Sequence, residues 1–358
     1  MTQLYPVKVK NDFVFNSSTR DFIVDEIPLY EFTGNGEHLV LHIRKKELTT
    51  WELIGILANY LGVKQRDIGY AGLKDKHAMT MQYISLPAKY EEKLQSFDHP
   101  KIKILNTHRH DNKIRVGHLK GNRFKIRLKK VLGVQRDKLD SVLKWIKTNG
   151  VPNYFGHQRF GSDGTNWEEG KAIAEGRRNV RNKKTRTFLV GAYQSYLFNA
   201  WLSKRIELSI LLESFSEAEA EELLRLPKGS LKGTKEQVHF FKLLEGDLMM
   251  HYPYGRVFGL ESLESEAERF SLRDIAPTGL IAGKRVSRAT KIAGAIEEKY
   301  DATIGESGSR RYAWVFPKEI KSVYIPEKAH YELSFCLPKG SYATNVLDVL
   351  RGGREEGL

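Results

Sequence analysis

The sequence holds a single cysteine, Cys336, among 358 residues. No intrachain disulfide can form from it, and a structural zinc site built on cysteine thiolates is excluded. No apolar run reaches the roughly 18 residues that a membrane-spanning helix needs. The opening segment, Met1-Thr-Gln-Leu-Tyr-Pro-Val-Lys8, lacks the apolar stretch of a signal peptide, so a reducing, cytoplasmic setting is expected. No G-x-G-x-x-G follows Gly34-Asn-Gly36, and dinucleotide binding is not supported. Around Gly279–Lys284 the glycines stand one residue too close for a phosphate loop, and Arg285 occupies the place of its Ser or Thr. A nucleoside triphosphatase is therefore rejected. Internal repeats and low-complexity tracts are absent.

Acidic residues are in deficit. Lys and Arg number 58 against 44 Asp and Glu, a formal net charge of +14. Such an excess speaks to partners rather than to fold, and polyanions come first. The cations also cluster: Arg177-Arg-Asn-Val-Arg-Asn-Lys-Lys-Thr-Arg186 carries six of them and no acid. Arg177, Arg178, Arg181, Lys183, Lys184 and Arg186 are thus candidates for contact with a nucleic-acid backbone. The plainer reading is a solvated basic face.

Hydrophobic patterning gives an α+β chain. Asp21–Pro28 alternates as a strand, and Gly34-Asn-Gly36 turns it into His38–Ile43, the expected second strand of a hairpin. Thr49 or Thr50 can cap a helix that places Trp51, Ile54, Leu57, Ala58 and Leu61 on one face, with Gly62 ending it. Strands are expected at Tyr83–Leu86 and through Lys101–Leu128, then an amphipathic helix at Val134–Thr148. A helix over Leu189–Leu202, an acidic exposed helix over Ser216–Leu224 and a loop at Pro227–Gly233 follow. The tail returns to strands at Ala313–Pro317, Val323–Ile325 and Tyr331 onward, and closes on a helix at Asn345–Arg351. Cys336 reads as a small residue packed in a strand. His38 with His42, and His108 with His110, are poor metal pairs; the cations beside the second pair favour phosphate. The change of character near Gly161 and its reversal near Gly308 suggest an insertion.

Two stretches carry chemistry. Gly69-Tyr-Ala-Gly-Leu-Lys-Asp-Lys-His-Ala-Met-Thr-Met-Gln82 presents one carboxylate, Asp75, between Lys74 and Lys76. Four successive polar residues do not belong in a buried strand. A Lys-Asp-Lys run is most often a solvated loop with ion pairs of about 0–1 kcal/mol, yet the apolar segments around this one make it a held loop with Asp75 as the reactive group. Gly150-Val-Pro-Asn-Tyr-Phe-Gly-His-Gln-Arg-Phe-Gly161 combines aromatic faces with amide and guanidinium groups, which suits base stacking. By itself it also reads as core.

Together these blocks resemble a known family. Gly72–Gln82 is similar to the signature of the TruD family of pseudouridine synthases, Gly150–Gly161 to its second motif, and Leu337-Pro-Lys-Gly-Ser-Tyr-Ala-Thr344 to its third. Weaker similarity covers Phe22–Glu26, Gly117–Phe124 and Ser195–Asn199, so it spans essentially the whole chain. The resemblance implies a pseudouridine-synthase-like fold: a mixed, mainly antiparallel sheet with helices, plus an inserted α/β domain. The matching division is a catalytic domain over 1–160, an insertion over 161–308, and a catalytic remainder over 309–358. It further implies a tRNA substrate, modified at the uridine numbered 13 of the D arm, notably in glutamate tRNA. It implies a reaction that needs no metal and no organic cofactor; a monomer is expected, and no membrane association, since no apolar run is long enough to span one.

By the same resemblance Asp75 is the catalytic residue, Phe155 stacks on the flipped uracil and Asn153 hydrogen-bonds near Asp75. Lys74, Gln158, Arg159 and Phe22 join them as substrate-binding candidates. Family members commonly carry a Lys a few residues before the Phe-x-Val-x-Glu motif, where this chain has Asn16. The cation that pairs with Asp75 is therefore open among Lys74, Lys76, Arg20 and a lysine elsewhere. A glycosidase needs two carboxylates, and the sequence supplies no clear second one, with Asp25 and Glu26 left open. The competing reading from another class is an RNA-binding or RNA-chaperone protein in which Asp75 is structural. A metal-dependent nuclease would need clustered acids, against which the basic surroundings of Asp75 argue.

Overall fold

The computed structural model describes residues 3–161 and 163–353. The chain forms two compact units, each assembled from separated segments. One, here the sheet unit, consists of Asp12–Asp137 and Pro317–Gly340; the other, the helical unit, of Met1–Asn11, Lys138–Phe316 and Ser341–Leu358. The expected insertion, residues 161–308, lies wholly within the helical unit.

In the sheet unit the chain runs through β1 (Phe22–Pro28), β2 (His38–Lys46), α1 (Thr50–Leu61), β3 (Gly69–Tyr70), β4 (Met79–Pro87), α2 (Glu91–Leu94), β5 (Ile102–His110) and β6 (Leu119–Lys129). The later strands Lys318–Ile325 and His330–Pro338 complete an eight-stranded sheet. Its order is Lys318–Ile325, His330–Pro338, β6, β1, β4, β2, β5, with β3 added to β4. Only β1 and β4 pair in parallel.

Two expectations fail here. β1 and β2 are not a hairpin, because β4 lies between them and satisfies one edge of each. Trp51 is 54% exposed, and Leu53 takes its place against the sheet. A helix advances about 100° per residue, so Leu53 shares the buried arc with Ile54, Leu57 and Leu61, whereas Trp51 stands outside it. The capping logic holds: Thr49 accepts from the Glu52 amide while Glu52 bonds back to Thr49, and Gly62 closes the helix at φ 75°. Leu39, Leu41 and Ile43 from β2 and Ile84 and Leu86 from β4 bury against this helix.

The helical unit is organised on Lys183–Ser214, a helix of 32 residues capped by Asn182. The apolar patterning had pointed only to its middle. Its Leu189, Val190, Tyr193 and Leu197 pack with Ile173, Leu280, Ala282 and Ile304. Gly170 of the helix Asn166–Ala174 lies so close that a Cβ there would fall 2.1 Å from the Leu189 carbonyl oxygen. A four-stranded sheet runs in the order Ser309–Tyr312, Ile275–Ile281, Leu248–His251, Val257–Gly259, and Trp314–Val315 pairs with Val151–Pro152. No helix among the described residues is long and apolar enough to cross a membrane.

Candidate active site

Asp75 lies in the sheet unit on the connection between β3 and β4, a segment without regular structure, and its side chain is exposed. The backbone beneath it is held by buried groups. The Lys74 amide donates to Thr50 Oγ1 at 2.9 Å, at the start of α1. Thr50 Oγ1 in turn donates to Gln82 Oε1 of β4 at 3.1 Å. The Asp75 and Lys74 carbonyls accept from Lys45 Nζ at 3.1 and 3.5 Å, and the same ammonium donates to the Leu48 carbonyl.

Lys45 is fully buried. Alternation along β2 puts it on the same face as Leu39, Leu41 and Ile43, and the register sets it beside Thr80, which in turn neighbours Val24. Burial pulls its ammonium down to about 8; Asp75 raises it, Lys74 lowers it further and Glu52 raises it. Among the described residues, Thr80 Oγ1 and Gln82 Nε2 are buried on this floor without a hydrogen-bond partner.

Lys74 does not present its charge to solvent. Its Nζ lies 2.5 Å from Glu26 Oε2, and the two side chains are 5% and 0% exposed. Glu26 Oε1 accepts the Tyr83 amide at 3.2 Å. Glu26 is thereby committed to a buried pair, while Asp25, pointing to the other face of β1, lies 3.3 Å from His42 Nε2. Neither is placed as a free second carboxylate. Lys76 pairs with Glu52 at an exposed site. Phe22 sits at the head of β1 on the Glu26 face, buried, with its ring stacked on Phe124 at 6.1 Å and edge-on to Phe15.

The second cluster belongs to the helical unit. Asn153 is buried; its Nδ2 donates to the Tyr312 carbonyl at 3.0 Å and its Oδ1 accepts from Arg311 Nη2 at 2.9 Å. Phe155 is fixed by both ends of one side chain. Its amide donates to Asn199 Oδ1 at 2.8 Å, and its carbonyl accepts from Asn199 Nδ2 at 3.0 Å. The Arg311 guanidinium lies 4.0 Å from the Phe155 ring centroid, and Phe198 meets that ring edge-on. Burial lowers the guanidinium to about 10, Tyr342 raising it and Arg159 lowering it, so it stays charged at neutral pH. Asn345, the residue after the third motif, donates its Nδ2 to the Tyr154 carbonyl at 2.9 Å, tying that segment to the second motif. Gln158 is exposed, and Arg159 Nε donates to Ser195 Oγ at 3.2 Å.

The six cations of the basic run divide in two. Arg177 pairs with Glu175, Arg178 with Glu169 and Arg186 with Glu306, all acids outside the run. Arg181, Lys183 and Lys184 are exposed, and among the described residues they form no ion pair.

Lys45 and Arg311 carry no sequence-based expectation, while Thr50 is expected only as a helix cap and Asn199 only as the end of a block of weaker family similarity. For Lys45 a signal existed: Leu39, Leu41 and Ile43 alternate, and extending the strand by two residues puts Lys45 in the core. Its neighbours Arg44 and Lys46 are cations too, which masks the alternation. Among the described residues no group of three or more His, Cys, Asp or Glu could hold a metal.

The family model for tRNA pseudouridine synthase D (TruD) matches residues 12–180 and 178–349. The tRNA pseudouridine synthase D of Nitratiruptor sp. is 53% identical over 347 residues, covering 97% of this chain and 96% of that protein. That of Sulfurimonas denitrificans is 52% identical, covering 94% of each, and that of a Helicobacter pylori strain is 46% identical, covering 96% and 94%. In three dimensions the chain resembles a crystal structure of a Methanosarcina mazei protein assigned as a tRNA pseudouridine synthase D. The TM-score is 0.69 at 22% identity, over 97% of this chain and 95% of that one, a likeness of fold. With three motifs in family order, an α+β fold of the same kind and relatives of this identity along nearly its full length, the chain belongs to the TruD family, that of tRNA pseudouridine synthase D.

Proposed function

We propose that this chain is a tRNA pseudouridine synthase that isomerises uridine 13 of the D arm, with glutamate tRNA among its substrates, and that Asp75 carries the chemistry. Membership of the family supports the reaction. The setting of Asp75 supports the residue: an exposed carboxylate on a loop whose backbone is pinned by Lys45 and Thr50. A scaffold-held polar group of this kind is what a reaction centre needs.

The isomerisation balances without a co-reactant. The N1–C1′ bond of uridine breaks, the uracil turns in place, and a C5–C1′ bond forms, with the C5 proton passing to solvent as N1 gains one. Asp75 serves as nucleophile at C1′ or as base at C2′; one carboxylate suffices for either. The base must first leave its stack, at a cost of a few kcal/mol. Phe155 offers it a ring whose position is fixed by Asn199 and Arg311. Asn153 holds Arg311 and thereby supports that ring. Lys74 acts through Glu26 and the loop backbone, and Phe22 supports the same β1 face. Gln158 and Arg159 flank the Phe155 loop and contact RNA, and residues 161–308 form the inserted domain. Arg177–Arg186 contributes to tRNA backbone binding, chiefly through its unpaired members.

Asp75→Asn is expected to bind tRNA within about twofold of the parent and to form no pseudouridine, read by mass spectrometry of digested transcript. Retained turnover would sink the assignment. A transcript with cytidine at position 13 should gain no pseudouridine; modification elsewhere in it would refute the positional reading.

A further inference from the structure

We propose that Lys45 is a positioning residue that clamps the Asp75 loop from below, its ammonium gathering the carbonyls of Leu48, Lys74 and Asp75 into one turn. The inference rests on the assignment of Asp75 above, and adds to it the device that fixes where the carboxylate stands.

The geometry is that of a capped cation. An ammonium has three N–H donors and no acceptor, and Lys45 finds three carbonyl oxygens: Leu48 on the turn after β2, and Lys74 and Asp75 on the loop. The β2 stem threads the apolar face under α1, so the charge arrives from within the core. A buried lysine is costly compared with an apolar side chain of similar length. A place on the buried face of β2 with Leu41 and Ile43 gives no reason to prefer it, since Met is an apolar side chain of similar length. What Met would not do is draw two loop carbonyls and the Leu48 carbonyl to one point.

The clamp works with two other pins. Thr50 Oγ1 takes the Lys74 amide, and Glu26 takes the Lys74 ammonium. The three attach the loop to β2, to α1 and to β1, so the residue before Asp75 is fixed at its amide, carbonyl and side chain. The Asp75 side chain is left projecting. A misplacement of about 1 Å at a reacting group can lower the rate about 100-fold, which makes the position of this backbone a catalytic quantity.

The clamp also depends on protonation. The charged groups that bear on Lys45 are Asp75 and Lys74 from the loop and Glu52 from α1, with burial the largest influence. Loss of one proton leaves two donors for three carbonyls. The loop is therefore held below about pH 8 and loosens above it.

The test compares wild type with Lys45→Met in the full chain. Hydrogen exchange of the amides at 71–78 is expected to speed at least about tenfold in the variant at pH 7, while those of β2 and β4 stay protected. Unchanged exchange in that segment overturns the clamp, whatever the reaction. In the tRNA assay kcat is expected to fall about 100-fold with tRNA binding kept within about twofold. The parent's alkaline loss of kcat, centred near 8, should vanish in Lys45→Met. Undiminished kcat, or an alkaline limb that survives, refutes the role. If the parent itself makes no pseudouridine, the assigned reaction falls and the exchange measurement still decides the clamp. Should Lys45→Met fail to fold, Thr50→Val removes the neighbouring pin and carries the same exchange and kcat expectations, and unchanged values there overturn the pinned loop.

Discussion

At the scale of single residues, neighbours in sequence and neighbours in space part company around Asp75. Lys74 and Lys76 flank it, yet one is buried against Glu26 and the other pairs with Glu52. The cation beneath the loop is Lys45, thirty residues away on β2. Phe155 repeats the lesson, since the groups that fix it, Asn199 and Arg311, come from distant segments. Phe155→Ala should lower turnover roughly tenfold to a hundredfold, the equivalent of a stacking contribution of about 1–3 kcal/mol. Its tRNA affinity should move less than about threefold. Single-turnover rates and filter binding would decide it, and an affinity loss as large as the rate loss would contradict a stacking role. Asp75 and Phe155 could be proposed from the sequence because motif residues are short-range patterns. Their partners were not, because each bond spans tens to more than a hundred residues.

Among the elements, the Lys183–Ser214 helix joins charge to structure. Its first turn holds Lys183, Lys184 and Arg186, with no acid. The amino end of a helix already carries partial positive charge, so each cation there costs roughly 0.3–1 kcal/mol unless an anion answers it. Glu306 answers Arg186; an RNA phosphate is the natural answer for the other two. Replacing Arg181, Lys183 and Lys184 together by Ala should weaken tRNA binding and flatten its log–log salt slope by about 2–3. Replacing the carboxylate-paired Arg177 and Arg178 should change the slope by less than about 1. A triple variant with an unaltered slope would return the run to a solvated face. The sequence showed six equivalent cations, and packing separated them into two kinds. The expected β1–β2 hairpin failed for a similar reason: a turn signal says that the chain reverses, and which strand fills the gap depends on long-range pairing.

For the molecule as a whole, the core sets an acid limit. His239 is buried between Phe270, Trp314 and Phe316. Its Nε2 donates to the Asn149 carbonyl at 2.9 Å while Nδ1 accepts the Phe241 amide at 3.0 Å, so the neutral ring satisfies both partners. Burial lowers its pKa to about 4, with the two backbone bonds, Lys242 and Arg273 as lesser influences. The folded state then binds fewer protons than the unfolded state between about pH 6.5 and 4, so stability is complete above that window and falls as the pH drops through it. The loss amounts to about 3 kcal/mol by pH 4. Urea unfolding at pH 7 and at pH 4.5 should show His239→Gln losing less stability between the two than the parent. Equal losses would remove His239 from the acid response.

The sequence by itself determined the family motifs, with Asp75 as the proposed carboxylate, the helix caps and the basic character, because each is written in residues within a few positions of one another. The tertiary structure decided which ammonium holds the Asp75 carbonyl, which groups hold Phe155, which strands are neighbours and which cations of the basic run lack an ion pair among the described residues. Those depend on contacts whose strength comes from burial, and burial is a property of the folded chain. A buried lysine and a solvated one are the same letter. Only the closing of β2 against α1 makes Lys45 the former.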